Sequence, residues 1–266
     1  MRYAGPSRHV WVEEVMGMPV SIHVRSRRDR PARGADAAVR ECFEELRDID
    51  RVFSTYRPDS DVSRIRAGEL SIDDADPRVA VVAADCRLAT VTTAGLFSAY
   101  WRGWFDPTGY VKGWAVENAA RRHLAPLVED DIAVGINAGG DLQLFTAVGA
   151  DWHWTVGIAD PRETGKVLAT LDVADGAVAT SGTAERGRHI IDPRTGRPAT
   201  SVLSATVVAD SLACADLWAT TSVVAGFDDR SWVAHAGTRT GVVLSPDGRV
   251  FRWLGPTTVE VVPAAR

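Results

Sequence analysis

The stretch FDPTGYVKG, residues 105–113, places an acid, a tight turn and a lysine immediately before a helical pattern. Pro107 fixes its own φ and Gly109 tolerates positive φ, so Asp106, the turn carbonyls and Lys112 can face one concave spot. An anionic ligand suits such a loop, and the amides of a helix N-terminus favour phosphate. Taken by itself, Lys112 reads as a solvated lysine ahead of a surface helix, because long charged side chains are mostly exposed. Asp216 and Thr220 stand four apart in LACADLWATTSVVAG. That spacing presents a carboxylate and a hydroxyl on one helix face, two hard oxygen ligands of the kind Mg²⁺ takes when phosphates and waters complete its shell. Such pairs are common, so the spacing alone is weakly informative. The small turn Thr180-Ser181-Gly182 can approach phosphates closely. His189, followed by two isoleucines, reads either as a half-buried histidine with a satisfied hydrogen bond or as a functional imidazole.

These residues must be positioned by elements of both kinds. Apolar alternation through VWVEEVMGMPVSIHV, residues 10–24, predicts two short strands broken at Met16-Gly17-Met18-Pro19. SRRDRPARGAD reads as a surface loop, and Val39, Cys42, Phe43, Leu46, Ile49 and Phe53 then recur at helical spacing. Residues 54–65 read as a loop with a short helical turn, in which Tyr56 either stacks on a ring or covers the core. Asp76-Pro77 opens a second helix that ends near Ala94-Gly95. Trp101, Trp104 and Trp114 surround the 105–113 motif, as a tryptophan-rich core or as walls for a planar ligand. Val116, Ala119, Ala120 and Leu124 make the apolar stripe of the helix after the motif. Beyond it, NAGGD (137–141) turns a hairpin, two more strands near Trp154 and residues 167–173 suggest a meander, and GAVATSG leads into a polar loop and HIIDPRTGRP. After a β-branched strand, Ser211 caps a helix that stops at Gly226. A short helix over RSWVAHA and a hairpin around Pro246-Asp247-Gly248 finish the pattern. No repeat or linker divides the chain, so residues 1–266 are read as one unit.

Composition narrows the classes. The 266 residues are 45% hydrophobic and 24% charged, enough for a sizeable core. A net charge of −5 gives no support for a nucleic-acid or anionic-membrane partner. Cys42, Cys86 and Cys214 are odd in number and set in apolar surroundings, which predicts buried thiols rather than a disulfide or zinc site. The start MRYAGPSRHVWVEE lacks the pattern of a signal peptide, and no run reaches membrane-spanning length, so a cytoplasmic protein is expected.

Taken in order, Met16-Gly17, FSTYRPDSDVSRI, residues 105–113, NAGGD, ATSG, HIIDPRTGRP and the helix carrying Asp216 and Thr220 resemble the FAD:protein FMN transferase family, ApbE. The resemblance covers about residues 15 to 226. Each piece is weak alone, but the ordered set is specific. It implies a mixed α/β (α+β) fold of T-fold-like type, an antiparallel-rich sheet packed with helices. It also implies binding of FAD and Mg²⁺, and transfer of FMN through a phosphoester bond to a threonine or serine of an acceptor protein, with release of AMP. On the matching positions, Asp106 and Lys112 are expected to touch FAD, and Met16, Tyr56, Gly95, Leu96 and Phe97 to contact the flavin nucleotide. Thr180, Ser181, Gly182, His189 and Ile190 join that set. The Gly109 carbonyl, Asp216 and Thr220 are expected to hold Mg²⁺, and His189 falls at the general base, a role that suits an imidazole near neutral pH.

This chain departs from the family pattern in carrying MGM where MGT is usual, which leaves Met16 and loses a hydroxyl at Met18. Gly109 stands where a small side chain is common, with little consequence if the ligand is a backbone oxygen. Two neighbouring readings use the same residues: an FAD pyrophosphatase that takes water as acceptor, and a flavin-binding protein without catalysis.

Overall fold

Met16 (φ 56°) and Gly17 (φ 70°) are both left-handed, the backbone of a two-residue hairpin turn whose twist matches its strands. The turn joins β1 (Ser7–Val15) to β2 (Met18–Ser26) in register from Val15 opposite Met18. The expected break is therefore two residues long, with Met18 and Pro19 already inside β2. The computed structural model describes residues 7–27, 32–182, 189–255 and 257–262. The N-terminal leader reading at residues 1–6, part of the surface-loop expectation at 28–31 and the polar loop at 183–188 lie outside them.

Helices come next in the chain. α1 (Ala35–Phe53) buries the predicted stripe of Val39, Cys42, Phe43, Leu46, Ile49 and Phe53. α2 (Asp61–Ala67) is capped by Ser60, whose hydroxyl accepts from the Ser63 N–H, and ends at left-handed Gly68. α3 (Pro77–Thr92) starts as expected, with Asp76 accepting from the Arg78 N–H and Pro77 in the first turn. α4 (Thr108–Ala119) begins earlier than the sequence suggested, so Lys112 lies inside the helix rather than ahead of it. Its buried Val116, Ala119, Ala120 and Leu124 continue through a π turn, Ala120–Leu124.

The strands then follow: β3 (Ile132–Ala138), β4 (Asp141–Phe145), β5 (Trp154–Ala159), β6 (Val167–Val173), β7 (Gly176–Gly182), β8 (Ile191–Asp192), β9 (Arg197–Pro198) and β10 (Ser204–Ala209). α5 (Leu212–Ala225) is capped by Ser211 and stops at Gly226, as predicted. A 3-10 turn at Ser231–Ala234 precedes β11 (Thr240–Leu244), β12 (Val250–Leu254) and β13 (Thr257–Val262).

Nine strands form one sheet in the order β1-β2-β3-β4-β7-β10-β11-β12-β13, every neighbouring pair antiparallel. The fold is thus mixed α/β with an antiparallel sheet, as expected. The meander is interrupted, however: β7 pairs with β4, and β5–β6 stand apart as their own hairpin. Alternation is the same in either arrangement, so periodicity could not separate them. Leu144, Val156, Val173, Val178 and Val208 bury a small satellite core under that hairpin. The main core lies between the sheet and the helices, joining Ile22, Phe43, Leu46, Val134, Ile136, Val207, Leu212 and Val223.

Candidate active site

Antiparallel pairing brings the turn at Met16-Gly17, the start of β4 and the end of β7 to one end of the sheet. β2 begins there, β3 ends there, and Gly139-Gly140 turn the chain into Asp141. Both glycines have positive φ, and a Cβ on Gly139 would stand 3.1 Å from the Met18 sulfur. That contact seats the Met16 turn beside the NAGGD turn. β7 runs past β4 at this end, carrying Thr180, Ser181 and Gly182, and α5 lies across β7, β10 and β4.

Lys112 projects from α4 into this junction. Its ammonium pairs with the Asp141 carboxylate and lies 3.4 Å from Asp216 Oδ1. Asp141 is 2% exposed and Asp216 5%. Lys112 is therefore not the solvated lysine that its local sequence suggested. Burial pulls its ammonium down, but the charges of Asp216 and Asp141 outweigh that and hold it above the ordinary lysine value. Burial pushes the Asp216 carboxyl up to about 6, opposed by Lys112 and reinforced by the charge of Asp141. Two buried carboxylates share one ammonium, so the cluster is one positive charge short.

Hydroxyls line the adjoining strand ends. Ser181 Oγ lies 3.0 Å from Thr220 Oγ1, one turn of α5 beyond Asp216, and Thr180 Oγ1 lies 2.9 Å from Thr206 Oγ1. The Thr180 N–H donates to Asp141 Oδ1 at 2.9 Å. Gly182 must be glycine, because a Cβ there would come within 2.5 Å of the Leu203 carbonyl oxygen.

The donor set fits a hard divalent cation. Asp216 and Thr220 share a face of α5, and the Gly113 N–H lies against the Asp216 carboxylate. Gly109 stands one helical turn before Gly113 on α4, in the first turn of that helix. Among the described residues, no group of three or more His, Cys, Asp or Glu is placed to hold a metal. A site here would rest on one carboxylate with a carbonyl and a hydroxyl. That set needs substrate phosphates and water to fill it, which is how Mg²⁺ is usually held.

Asp106 caps the entrance of α4. Its carboxylate accepts from the Thr108 N–H at 3.1 Å and from the Thr108 hydroxyl, and its own N–H donates to the Ala99 carbonyl at 2.7 Å. Gly109 packs against Phe97, whose ring would lie 3.2 Å from a Cβ at that position. Leu96 and Phe97 are buried, and Gly95 (φ 81°) follows Ala94 (φ 50°) in left-handed backbone at the end of α3. Ala94 and Met16 are the described non-glycine residues with positive φ, and both adjoin expected flavin contacts. Strained backbone concentrates at functional sites. The buried Thr93 hydroxyl holds this corner by accepting the Phe97 N–H at 3.0 Å.

Other expectations separate. Tyr56 is 94% exposed, so it does not cover the core. Trp114 packs on Phe53 at 5.8 Å, whereas Trp104 lies under the Arg66 guanidinium at 5.1 Å and Trp101 under Arg102 at 4.6 Å. His189 is exposed and leads into β8, while Ile190 beside it is buried and its carbonyl accepts from the Ala199 N–H. Cys42, Cys86 and Cys214 are free thiols, the first two buried as expected. In the sequence alone Asp141 reads only as the end of the NAGGD turn. Its place beneath Lys112 depends on α4 crossing β4, which no local pattern encodes.

Comparison with known proteins agrees with this fold. The family model described as ApbE family matches residues 16–103 and 101–243. An FAD:protein FMN transferase of Rhodobacter capsulatus is 36% identical over 155 residues, 55% of this chain and 29% of that protein. One from Escherichia coli K12 is 29% identical over 153 residues, 53% of this chain and 44% of the other. These matches span less than half the length of either relative. The ApbE protein of Thermotoga maritima superposes with a TM-score of 0.76 at 22% identity, over 92% of this chain and 96% of that one. The flavin transferase ApbE of Vibrio cholerae gives 0.70 at 19% identity, over 94% and 97%. The matched model and the shared fold make this chain a member of the ApbE family.

Proposed function

We propose that this protein transfers FMN from FAD to a threonine or serine hydroxyl of an acceptor protein, releasing AMP and requiring Mg²⁺. The observation that carries the reading is the half-buried Lys112 paired with the buried Asp141 and Asp216, a cluster one positive charge short beside the Ser181 and Thr220 hydroxyls. The names of the curated relatives support it. Lys112 and the Thr180-Ser181-Gly182 strand end bind FAD through its diphosphate, and the Asp106 carboxylate accepts from donor groups of the same molecule. Met16, Tyr56, Gly95, Leu96, Phe97 and Ile190 form the flavin-nucleotide side.

Gly109 by its carbonyl, Asp216 and Thr220 would hold the cation, whose charge offsets that of the diphosphate. His189 takes the proton of the incoming hydroxyl as its oxygen attacks the flavin-side phosphorus. The bond from that phosphorus to the bridging oxygen breaks, and AMP leaves with the electron pair. Lys112 supplies fixed positive charge next to the developing negative charge. The three free thiols suit a reducing compartment, so a cytoplasmic acceptor is part of the same proposal.

The exposure of His189 favours a second reading, because water can reach it as an acceptor can. Hydrolysis of FAD to FMN and AMP would then use the same groups. Incubation with FAD and Mg²⁺, with and without EDTA, followed by chromatography of AMP and FMN, tests both. Metal-dependent AMP with free FMN supports the hydrolase; AMP that appears only with an acceptor supports the transferase. Tight FAD binding without cleavage would leave a flavin-binding protein.

A further inference from the structure

Resting on the function proposed above, we infer that Asp141 is a positioning residue that holds Lys112 away from Asp216 and so keeps Asp216 available to a divalent cation. The Lys112 ammonium has two carboxylates within reach. Its contact with Asp141 is the close one, and Asp216 Oδ1 is 3.4 Å away. Asp141 is fixed on its other side, where Oδ1 accepts the Thr180 N–H of β7 at 2.9 Å. A backbone donor in a sheet does not rotate, so the carboxylate keeps one oxygen turned to Lys112. The lysine stem is long and flexible, and among the described residues the salt bridges of its ammonium are those to Asp141 and Asp216.

Competition follows from simple electrostatics. An ammonium drawn onto Asp216 neutralises the carboxylate that a cation needs. With Asp141 in place, Lys112 is shared, and Asp216 exchanges a loose ammonium for the cation while Lys112 stays paired. Asp141 thus lowers the cation concentration the site requires without touching the cation or the reacting phosphorus.

The test uses Mn²⁺ binding to the protein, without and with FAD, read by electron paramagnetic resonance. Asp141→Asn keeps the acceptor for the Thr180 N–H but turns amide hydrogens toward Lys112. Its Mn²⁺ dissociation constant should rise about tenfold, the scale of one charge-assisted hydrogen bond. Lys112→Met should bind Mn²⁺ at least as tightly as the wild type. In that background Asp141→Asn should no longer weaken binding. An equal loss in both backgrounds would overturn the inference, because Asp141 would then act on the fold or on the cation directly. If Asp141→Asn does not fold, Lys112→Met alone decides: weaker Mn²⁺ binding overturns the competition, and equal or tighter binding supports it. A wild-type protein that binds no Mn²⁺ either alone or with FAD would overturn the functional reading itself, an outcome distinct from wild-type binding with the wrong pattern among the variants.

Discussion

Gly113 and Asp216 meet at a separation that only glycine permits: a β-carbon on Gly113 would lie 3.1 Å from the Asp216 Cβ and 2.9 Å from the Leu212 carbonyl oxygen. The contact sets the distance between α4, which carries Lys112, and α5, which carries Asp216 and Thr220. Gly113→Ala would improve helix propensity by up to about 1 kcal/mol. Forcing the helices apart costs about 1–3 kcal/mol, and backbone atoms are what must move. We expect a net loss of stability in urea denaturation together with a loss of activity. A variant as stable and active as the wild type would show that the spacing of these helices does not matter.

Asp216 makes stability depend on pH in a defined direction. Its carboxyl is raised to about 6 by burial, above the usual carboxylate value of about 3.9. A raised carboxyl contributes stability that is complete below about pH 4 and lost as pH rises through about 6. Asp216→Asn removes this dependence. The melting temperature of the variant minus that of the wild type should therefore climb between pH 4 and pH 6 and level off above. Metal-dependent activity should fall about a hundredfold or more, as when a main electrostatic group is removed. A temperature difference that is flat across this range would contradict the assignment.

The Met16 turn stores left-handed strain in a residue with a side chain. Met16→Gly should relieve roughly 1 kcal/mol of that strain, offset in part by the freedom of glycine in the unfolded chain. Stability should change little, while FAD affinity measured by flavin fluorescence should weaken. Lost stability with unchanged affinity would make Met16 a packing residue only.

Most local features of this fold are legible in the sequence. The caps at Asp76 and Ser211, the stop at Gly226 and the hairpin turn at Gly139-Gly140 are determined by neighbours in the chain, whereas the length of the Met16-Gly17 turn and the cap at Ser60 are plain only in the structure. Lys112 was misread locally because its partners sit on β4 and α5, both distant in sequence. Asp141 was passed over for the same reason. The displaced β5–β6 hairpin likewise arises from tertiary packing rather than from alternation, whereas left-handed Ala94 belongs to the local turn that ends α3, where the Gly95 N–H donates to the Thr90 carbonyl.

His189 separates binding from chemistry. His189→Ala should retain FAD binding, since the residue is exposed. Transfer should drop about 10²- to 10⁴-fold, the usual contribution of a general base. Unchanged transfer would remove the base assignment and leave the rest of the site standing.

The central claim is group transfer, and its most direct measurement is stoichiometric. The protein would be incubated with FAD, Mg²⁺ and an extract of its source cells, and AMP would be quantified against flavin that stays bound to protein after denaturation. We predict one AMP for each covalently bound flavin, both abolished by EDTA and by Asp216→Asn. AMP matched instead by free FMN, with no fluorescent protein band, would contradict transfer and identify hydrolysis as the reaction.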